Sequence, residues 1–377
     1  MKICLLCFDI SNNSLGRAAL LASALSNHHE VEIIGTSKNG DVWYPLRDLD
    51  IPIRMYPWSR YPAFFSTIRK MVGEMDADIF IACKLRPTSF GIALIKKWCS
   101  GKPVLVDIDD WEAGFYYHSG FFGRMGRFLN FSNPNGLPYT WLMEKLLGFA
   151  NSIVVSNRFL QNRFGGSLIH HCRDTTILNP DNFDTPDIKK SLGLEENRVI
   201  MFLGTPRAHK GIDDLIQAVE SLDYPDVRLV FIGAELSFDR TRNHHDSDPD
   251  RIVVLPKIPF KELPKHLAAA DILVAPQRDT TDTQGQIPAK LFDAMAMAKP
   301  VVTTSVSDIP EVLGGNGYLV EPGNPDELAR ILKHVLDHPE EAAERGFKAR
   351  QRCVEFYDIK IMEKKLLNLI GETVGSG

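Results

Sequence analysis

Short apolar runs alternate with segments of helical spacing along the chain, and this alternation restricts the possible folds more than any other feature. In the first half the apolar runs are residues 3–8, 29–35, 78–82, 103–107 and 152–156. Each is short enough for a buried strand, and the stretches between them are long enough for a crossover helix. The pattern predicts a parallel sheet covered on both faces, whose ligands collect beyond the carboxyl ends of the strands.

A second series of the same kind begins after residues 179–181. Its apolar runs are residues 198–203, 228–233, 252–255, 272–275, 301–304 and 317–320. A chain of 377 residues is also too long for one simple core. We therefore predict the α/β class, with two Rossmann-like, doubly wound domains at residues 1–180 and 181–357.

Composition and charge narrow the class of protein further. Hydrophobic residues make up 44% of the chain and charged residues 24%, as in soluble globular proteins. The net charge of −5 argues against a protein that binds nucleic acid by neutralising phosphates. No apolar run approaches the roughly eighteen residues of a membrane span, and the first run is too short for a signal peptide. We expect a cytoplasmic protein whose six scattered cysteines are reduced, with Cys4 and Cys7 in the core.

Residues 276–312 concentrate the features of a binding site. A polar, glycine-containing loop (278–286) runs into Pro288, which suits the first turn of a helix that ends before Pro300. Free N–H groups at the start of such a helix, with the positive end of its dipole, favour phosphate or carboxylate. Asp293 lies further along the helix, where it could accept hydrogen bonds from a ribose or a sugar. The alternative is an ordinary packed helix on which Lys290 and Asp293 form a solvated i,i+3 pair.

This stretch resembles the nucleotide-sugar motif of the retaining family-4 glycosyltransferases (GT-B fold, glycosyl transferases group 1), which reads roughly Glu-Ala-Met-Ala-x-Gly-Lys-Pro-Val. The run here, residues 293–301, is Asp-Ala-Met-Ala-Met-Ala-Lys-Pro-Val, and residues 307–312 are close to the family's Gly-Gly-x-Pro-Glu-Val. The family usually has two glutamates eight positions apart. The second position is Asp293 here, and the first is Gly285, so the residue that replaces the first glutamate is open.

The resemblance covers about residues 199–322 and implies a GT-B architecture, in which the two domains face a cleft. It also implies that a C-terminal helix at about 358–377 crosses back onto the first domain. The first half resembles the family by architecture alone.

A second stretch, residues 203–211, joins a strand to a helix and carries two cations. Arg207, with two parallel N–H donors, and Lys210, as a point charge, could bind a diphosphate. The alternative is a solvated basic loop, which would have the same sequence pattern. In the family the matching turn reads roughly Gly-Arg-Leu-x-x-x-Lys-Gly. Lys210 is in register, but Thr205 occupies the arginine position, so Arg207 is taken as the substitute.

The resemblance therefore implies catalytic roles for Lys210 and Arg207, which would stabilise the charge that builds on the departing phosphate. The backbone N–H groups of Gln286 and Ile287 would help to hold that phosphate. The predicted donor-binding residues are Gly204, Arg207, Lys210, Gln284, Gln286, Ile287, Lys290 and Asp293.

The acidic run at residues 107–112 follows a buried strand of the first half. It could be a metal-binding Asp-x-Asp, although two Rossmann series weigh against that reading, or a set of helix caps and loop hydrogen bonds. In the resembling family this strand end often carries His-Asp, which would make Asp109 catalytic, orienting an acceptor hydroxyl or polarising the donor sugar. The predicted acceptor-side residues are Asp9, Ser14, Gly16, Lys84, Arg86 and Asp110, with no metal.

The first strand-to-helix turn, residues 9–17, carries a weaker signal. Only Gly16 resembles the glycine-rich turn of the family, and Ser14 is equally suited to cap the helix. Arg17 is unfavourable near the positive end of a helix dipole, which favours a binding role for it.

Two further segments are notable for their composition. Residues 113–147 are aromatic and basic. Such a segment could make weak peripheral membrane contact through residues 115–131, but core packing under a loop is the more common explanation and is favoured here. Residues 236–250 form a polar excursion that we expect to be a mobile loop.

The resemblance implies a retaining hexosyltransferase-like enzyme that needs no cofactor or metal and uses a nucleotide-diphosphate sugar, with UDP or GDP expected. Its acceptor would be a glycan, a lipid-linked molecule or a small molecule. Three alternatives stay open: a nucleotide-sugar epimerase, a phosphorylase of the same architecture, or a non-catalytic scaffold. The missing first glutamate favours the scaffold, whereas Lys210 and Asp293 speak against it.

Overall fold

The computed structural model describes residues 1–117, 126–234 and 251–375. The chain divides into two compact units, Met1–His171 with Lys360–Gly377 and Cys172–Ile359. The division lies at residue 171, earlier than the predicted residue 180, because Leu178 is buried in the core of the second unit. The C-terminal helix belongs to the first unit.

The first unit is built on a seven-stranded parallel sheet in the order β3-β2-β1-β4-β5-β6-β7. Its strands are β1 Lys2–Cys7, β2 Glu30–Ser37, β3 Ile53–Pro57, β4 Ile79–Cys83, β5 Val104–Ile108, β6 Ser152–Val155 and β7 Ser167–Leu168. Its helices, apart from the C-terminal one, are α1 Leu15–Ser26, α2 Phe64–Glu74, α3 Ile92–Ser100, α4 Gly114–Tyr117, α5 Leu137–Lys145 and α6 Arg158–Phe164. The direction of strand order reverses between β1 and β4.

The second unit repeats this plan with a six-stranded parallel sheet in the order β10-β9-β8-β11-β12-β13. The strands are β8 Arg198–Leu203, β9 Val227–Ile232, β10 Ile252–Leu255, β11 Ile272–Ala275, β12 Val301–Thr304 and β13 Tyr318–Val320. The helices are α7 Thr185–Ser191, α8 Ile212–Glu220, α9 Leu263–Ala268, α10 Thr281–Gln284, α11 Ala289–Ala296, α12 Ile309–Leu313, α13 Pro325–Asp337 and α14 Pro339–Phe356, followed by α15 Ile359–Gly375, which completes the first unit. Here the order reverses between β8 and β11.

Both faces of the second sheet are covered, as the strand β8 demonstrates. Val199 and Met201 pack into one apolar cluster, whereas Ile200 and Phe202 pack into another. Alternate side chains of a strand point to opposite faces, so the two clusters are the two layers of core on either side of one sheet. The predicted fold class is confirmed: each unit is a doubly wound α/β sheet.

The structure corrects two local predictions. The loop at 278–286 contains a one-turn helix, α10, because Thr280 and Thr283 cap each other's backbone N–H groups. Pro288 is the residue before α11 rather than a residue of its first turn.

Two predicted segments fall wholly or partly outside the described residues. These are the loop at 236–250 and much of the proposed membrane contact at 115–131. Within the part of the chain that the structure describes, no helix is both long and apolar enough to cross a membrane.

Candidate functional site

The strongest candidate site lies in the second unit, where the strand order reverses between β8 and β11. Open parallel sheets have a crevice at this point, lined by the loops that follow the two strands. The loops are joined tightly: a Cβ atom on Gly211, whose φ is +65°, would lie 1.9 Å from the carbonyl oxygen of Pro276. Arg278 adds a fork to Asp214, with Nε–Oδ2 and Nη2–Oδ1 distances of 2.9 and 2.7 Å. The two loops therefore form one rigid wall.

Two lysines converge at the end of β8. Lys210 Nζ donates to the carbonyl of Thr205 at 2.9 Å, and Lys290 Nζ donates to the carbonyl of Leu203 at 2.7 Å. The Lys290 ammonium also lies 3.5 Å from the centre of the Phe202 ring. Burial, together with the positive charge of Lys210, holds the pKa of Lys290 well below its usual value. A ligand with negative charge would relieve the repulsion between these two cations.

The structure places a second cation near Lys210, and the role of Arg207 stays a prediction. The sequence nominated Arg207, but this residue is exposed and precedes the 3-10 turn Ala208–Lys210. Lys290, which the sequence placed among the donor-binding residues without pairing it to Lys210, is the cation whose charge acts on that of Lys210. No local pattern links the two lysines, because Lys210 follows β8 and Lys290 lies in the first turn of α11.

Asp293 is buried and forms an ion pair with Arg173. Arg173 donates from Nε to Oδ1 and from Nη2 to Oδ2, the latter at 3.2 Å. The same guanidinium donates to the carbonyls of Ala289 at 3.0 Å and of Cys172 at 2.7 Å. The predicted solvated pair of Asp293 with Lys290 is therefore wrong, and sequence reasoning missed Arg173 because it lies 120 residues away.

The remaining donor-side predictions lie along the same two loops. Gly204 adopts a φ of +98°, and its Cα would be 3.5 Å from a Cβ atom on Gly233, so the ends of β8 and β9 approach closely. Gln284 is the last residue of α10, and Ile287 is buried in the core. The N–H of Gln286 donates to the carbonyl of Thr283 at 3.1 Å. That N–H is therefore not available to a phosphate in this conformation, contrary to the prediction.

The first unit has a second candidate site where its strand order reverses, between β1 and β4. Asp9, at the end of β1, is buried and accepts hydrogen bonds from Ser11 N at 3.0 Å and Ser11 Oγ at 2.5 Å. Its other oxygen lies 3.3 Å from Lys38 Nζ. Ser14 Oγ donates to the carbonyl of Asp9 at 2.6 Å and makes no capping bond to α1, so the capping interpretation of Ser14 is wrong. A Cβ atom on Gly16 would meet only a side-chain atom at 3.9 Å, so no close approach requires glycine there.

Lys84 lies after β4 and is surrounded by carboxylates. Its Nζ is 2.9 Å from Asp109 and 3.1 Å from Glu112, and it also donates to Asp110. Burial opposes the charge of Lys84, but the three carboxylates outweigh it and raise its pKa well above the usual value. Burial raises the pKa of Asp109 and raises that of Asp110 to about 6. Lys84 also has a φ of 72°, and such strain in a non-glycine residue is common at functional sites.

Arg86 binds Glu112, one of the three carboxylates around Lys84. It donates from Nε to Glu112 at 2.8 Å and from Nη1 to Tyr116 Oη, Thr140 Oγ1 and the carbonyl of Asn135 at 2.8, 2.8 and 2.9 Å. Burial raises the pKa of Glu112, but Arg86 and Lys84 together bring it below the usual value. Because the guanidinium is buried and hydrogen-bonded on several sides, Arg86 positions Glu112, and a direct contact with an acceptor stays a prediction.

Arg17 has a structural role in place of the predicted binding role. Its Nη2 lies 2.8 Å from Asp107 Oδ1, and its Nε is 3.2 Å from both oxygens of that carboxylate. It also donates to the carbonyls of Ile169 at 2.9 Å and His170 at 3.1 Å. The buried ion pair offsets the unfavourable position of Arg17 at the helix start. Asp107 is thus paired with Arg17, and Asp109 is paired with Lys84. Both aspartates of the suggested metal pair therefore already contact a cation.

Residues 197–338 match the family model described as Glycosyl transferases group 1. The chain contains a group 1 glycosyltransferase domain. This group 1 domain begins just before β8 and includes both loops of the crevice, with Lys210, Lys290 and Asp293. The resemblance inferred from residues 199–322 is therefore confirmed.

Two curated relatives each match about half of the chain. Spore coat protein SA of Bacillus subtilis is 24% identical over 48% of this chain and 51% of its own length. The GDP-mannose-dependent monoacylated alpha-(1-6)-phosphatidylinositol monomannoside mannosyltransferase of Corynebacterium glutamicum is 26% identical over 50% of this chain and 51% of its own length. The chain thus spans about half the length of these curated relatives.

Solved structures match the chain over nearly its full length. The crystal structure of Anabaena Alr3699/HepE in complex with UDP and glucose has a TM-score of 0.75 at 17% identity, covering 98% of this chain and 99% of that one. At this identity the likeness establishes the fold, which is the GT-B fold with its two Rossmann-like units. The fold implied by the sequence resemblance is confirmed.

Proposed function

We propose that the protein is a retaining, metal-independent glycosyltransferase that moves a sugar from a nucleotide-diphosphate sugar to an acceptor hydroxyl. The observation that carries this proposal is the pair Lys210 and Lys290 at the end of β8, inside the group 1 domain. The mannosyltransferase relative is GDP-mannose-dependent, and the HepE structure contains UDP and glucose. These names support a UDP- or GDP-sugar as donor.

The chemistry of the donor requires positive charge at the crevice. When the bond between the sugar C1 and the phosphate oxygen breaks, negative charge builds on the departing diphosphate. Lys210 and Lys290 are held in place before this happens by the carbonyls of Thr205 and Leu203. Cations fixed in advance lower the barrier because no reorganisation is needed in the transition state.

The carboxylates of the first unit suit an acceptor hydroxyl. Asp109 and Asp110 follow β5 and share the ammonium of Lys84. The pKa of Asp110 is raised to about 6. Its carboxylate is therefore largely ionised at neutral pH, and its pKa is close enough to that pH for it to accept a proton. We assign Asp109 and Asp110 to orient the acceptor hydroxyl and to receive its proton as the new glycosidic bond forms.

A panel of UDP-, GDP- and ADP-sugars tests the proposal. Melting temperature and nucleotide release are followed together, with and without EDTA and with and without added acceptor glycans. We expect stabilisation by one nucleotide series, worth about 2.7 kcal/mol at a ligand concentration of about 100 Kd, and turnover that EDTA leaves intact. If no sugar nucleotide raises the melting temperature or releases nucleotide, a non-catalytic scaffold is favoured. If EDTA abolishes activity and manganese restores it, a metal at Asp107 and Asp109 is favoured. Sugar epimerised without any acceptor would indicate an epimerase.

A further inference from the structure

We propose that Arg173 is a positioning residue of the donor site. Its guanidinium fixes the carboxylate of Asp293 so that the carboxylate can accept the ribose hydroxyls of a nucleoside diphosphate. It also neutralises the charge of Asp293, which leaves Lys210 and Lys290 available to the diphosphate. This inference rests on the proposed function and adds a residue from outside the group 1 match.

The geometry of the pair leaves hydrogen-bond acceptor capacity on Asp293. Arg173 uses one N–H for each oxygen of Asp293, in the fork arrangement that suits a carboxylate. A carboxylate oxygen has about two acceptor sites, so roughly one site on each oxygen remains. The two side chains are only 8% and 6% exposed, so the pair is held in a region of low dielectric where its orientation is well defined.

The backbone of Arg173 is fixed independently of its side chain. Its N–H donates to the carbonyl of Tyr357 at 2.9 Å, and its own carbonyl accepts from Ile359 N at 2.9 Å. Asp358, between those two residues, accepts from Thr175 N at 3.2 Å and from Thr175 Oγ1. Two chain segments therefore clamp each other, and the guanidinium projects from an anchored position onto α11.

The charges of the site explain why Asp293 needs a partner. Asp293 is three residues after Lys290 on α11, a spacing at which helical side chains are neighbours. Without Arg173, the aspartate would act as the counter-ion of Lys290 and weaken its attraction for a phosphate. With Arg173, the four groups carry three positive charges and one negative charge when Lys290 is protonated, a net of +2, which matches the charge of a diphosphate diester.

A purely structural pair would behave differently. If Arg173 only fastened residues 172–175 to α11, its loss would lower stability and leave the preference for a ribose hydroxyl unchanged. The two roles are therefore separated by measuring discrimination between ribose and deoxyribose, and not by activity alone.

The experiment measures calorimetric Kd values for UDP and GDP and for their 2′-deoxy and 3′-deoxy forms. The variants are Arg173→Lys, which keeps the charge but loses the fork, Asp293→Asn, and the double variant Arg173→Met/Asp293→Asn, which removes the buried ion pair without leaving a lone charge. Arg198→Lys is the matched control, because it weakens another arginine–aspartate fork in the same unit, at the opposite end of β8 from the crevice.

We expect removal of one ribose hydroxyl to weaken binding to the parent protein by at least about tenfold, as for a hydrogen bond to a charged group. This factor should fall to within about threefold in Arg173→Lys, Asp293→Asn and the double variant, and should persist in Arg198→Lys. An unchanged factor in Arg173→Lys overturns the positioning role, whereas an unchanged factor in the two variants that lack the Asp293 carboxylate overturns the ribose contact. Equal binding of ribose and deoxyribose forms by the parent protein overturns the ribose contact. If the parent protein binds neither UDP nor GDP and, in the same measurement, does not bind ADP, the proposed function itself fails.

Discussion

At the scale of single residues, the donor site depends on which cations face the diphosphate. Replacing Lys210 with alanine should slow transfer on the order of a hundredfold, because a preorganised stabilising charge is lost. Lys290→Met should cost a similar factor, whereas Arg207→Ala should cost much less because Arg207 is exposed. Steady-state kcat at saturating donor measures all three. A larger loss in Arg207→Ala than in Lys290→Met would return the second cation to Arg207.

Lys290 also leads to a prediction about protons. Burial and Lys210 hold its pKa well below the usual value, so Lys290 loses its proton at a lower pH than an exposed lysine does. A bound diphosphate supplies negative charge and raises that pKa, so binding should take up a proton. Calorimetric titration with UDP or GDP at about pH 9, in two buffers of different ionisation enthalpy, measures the uptake. The uptake should disappear in Lys290→Met, and equal uptake in that variant would assign the proton to another group.

The sign of the linked stability change follows from the same shift. In the window between the folded pKa of Lys290 and its unfolded pKa of about 10.4, the unfolded chain binds more protons than the folded chain. The contribution of Lys290 to the free energy of unfolding therefore rises with pH through this window. It is most unfavourable below the folded pKa, where the buried ammonium must stay charged beside Lys210.

At the scale of secondary-structure elements, the crevice depends on the tight approach of the two loops after β8 and β11. Gly211→Ala places a methyl group against the carbonyl of Pro276, whereas Gly101→Ala, at the end of α3, has a similar positive φ but nothing within 4 Å. Both variants should lose about 1–2 kcal/mol for the left-handed backbone. Gly211→Ala should lose at least about 2 kcal/mol more, by the cost of overpacking a rigid backbone. Urea unfolding measures the difference.

Comparable losses in the two glycine variants would show that the loops can separate without cost. Weaker nucleotide binding in Gly211→Ala alone would connect the same contact to the donor site. Gly101 is the suitable control because it has a similar positive φ and belongs to the other unit.

At the scale of the whole molecule, the C-terminal helix is expected to stabilise the first unit. Leu366 of α15 is fully buried, so Leu366→Ala should cost about 2–5 kcal/mol. All 5 tryptophans (Trp43, Trp58, Trp98, Trp111 and Trp141) belong to the first unit, so their fluorescence follows its unfolding specifically. The variant should shift the fluorescence transition to lower urea and leave nucleotide affinity intact.

Leu332→Ala is the matched variant in the second unit, since Leu332 is equally buried in α13. It should shift the circular dichroism transition more than the fluorescence transition. Coincident shifts of both probes in both variants would mean that the units unfold as one cooperative body, in which case the free energy of unfolding belongs to the whole chain.

The regular elements were largely predictable because strands buried on both faces produce continuous apolar runs. The runs at 198–203, 252–255, 272–275 and 301–304 coincide with β8, β10, β11 and β12. Sequence reasoning missed β3 and β7, which are the edge strands of the first sheet. The strand β3 is partly exposed and β7 has two residues, so neither produces a sustained apolar run.

By itself, the sequence determined the α/β class, the presence of two doubly wound units and the place of Lys210 after β8, because these follow from local periodicity and a contiguous motif. Only the tertiary structure decided that Lys290 joins Lys210, that Asp293 pairs with Arg173 and that Lys84 collects three carboxylates. Each of these contacts joins residues from different segments of the chain that meet at the carboxyl edge of a sheet or beside it. Such contacts depend on strand order and on the rotation of each helix about its axis, which the spacing of residues along one segment does not encode.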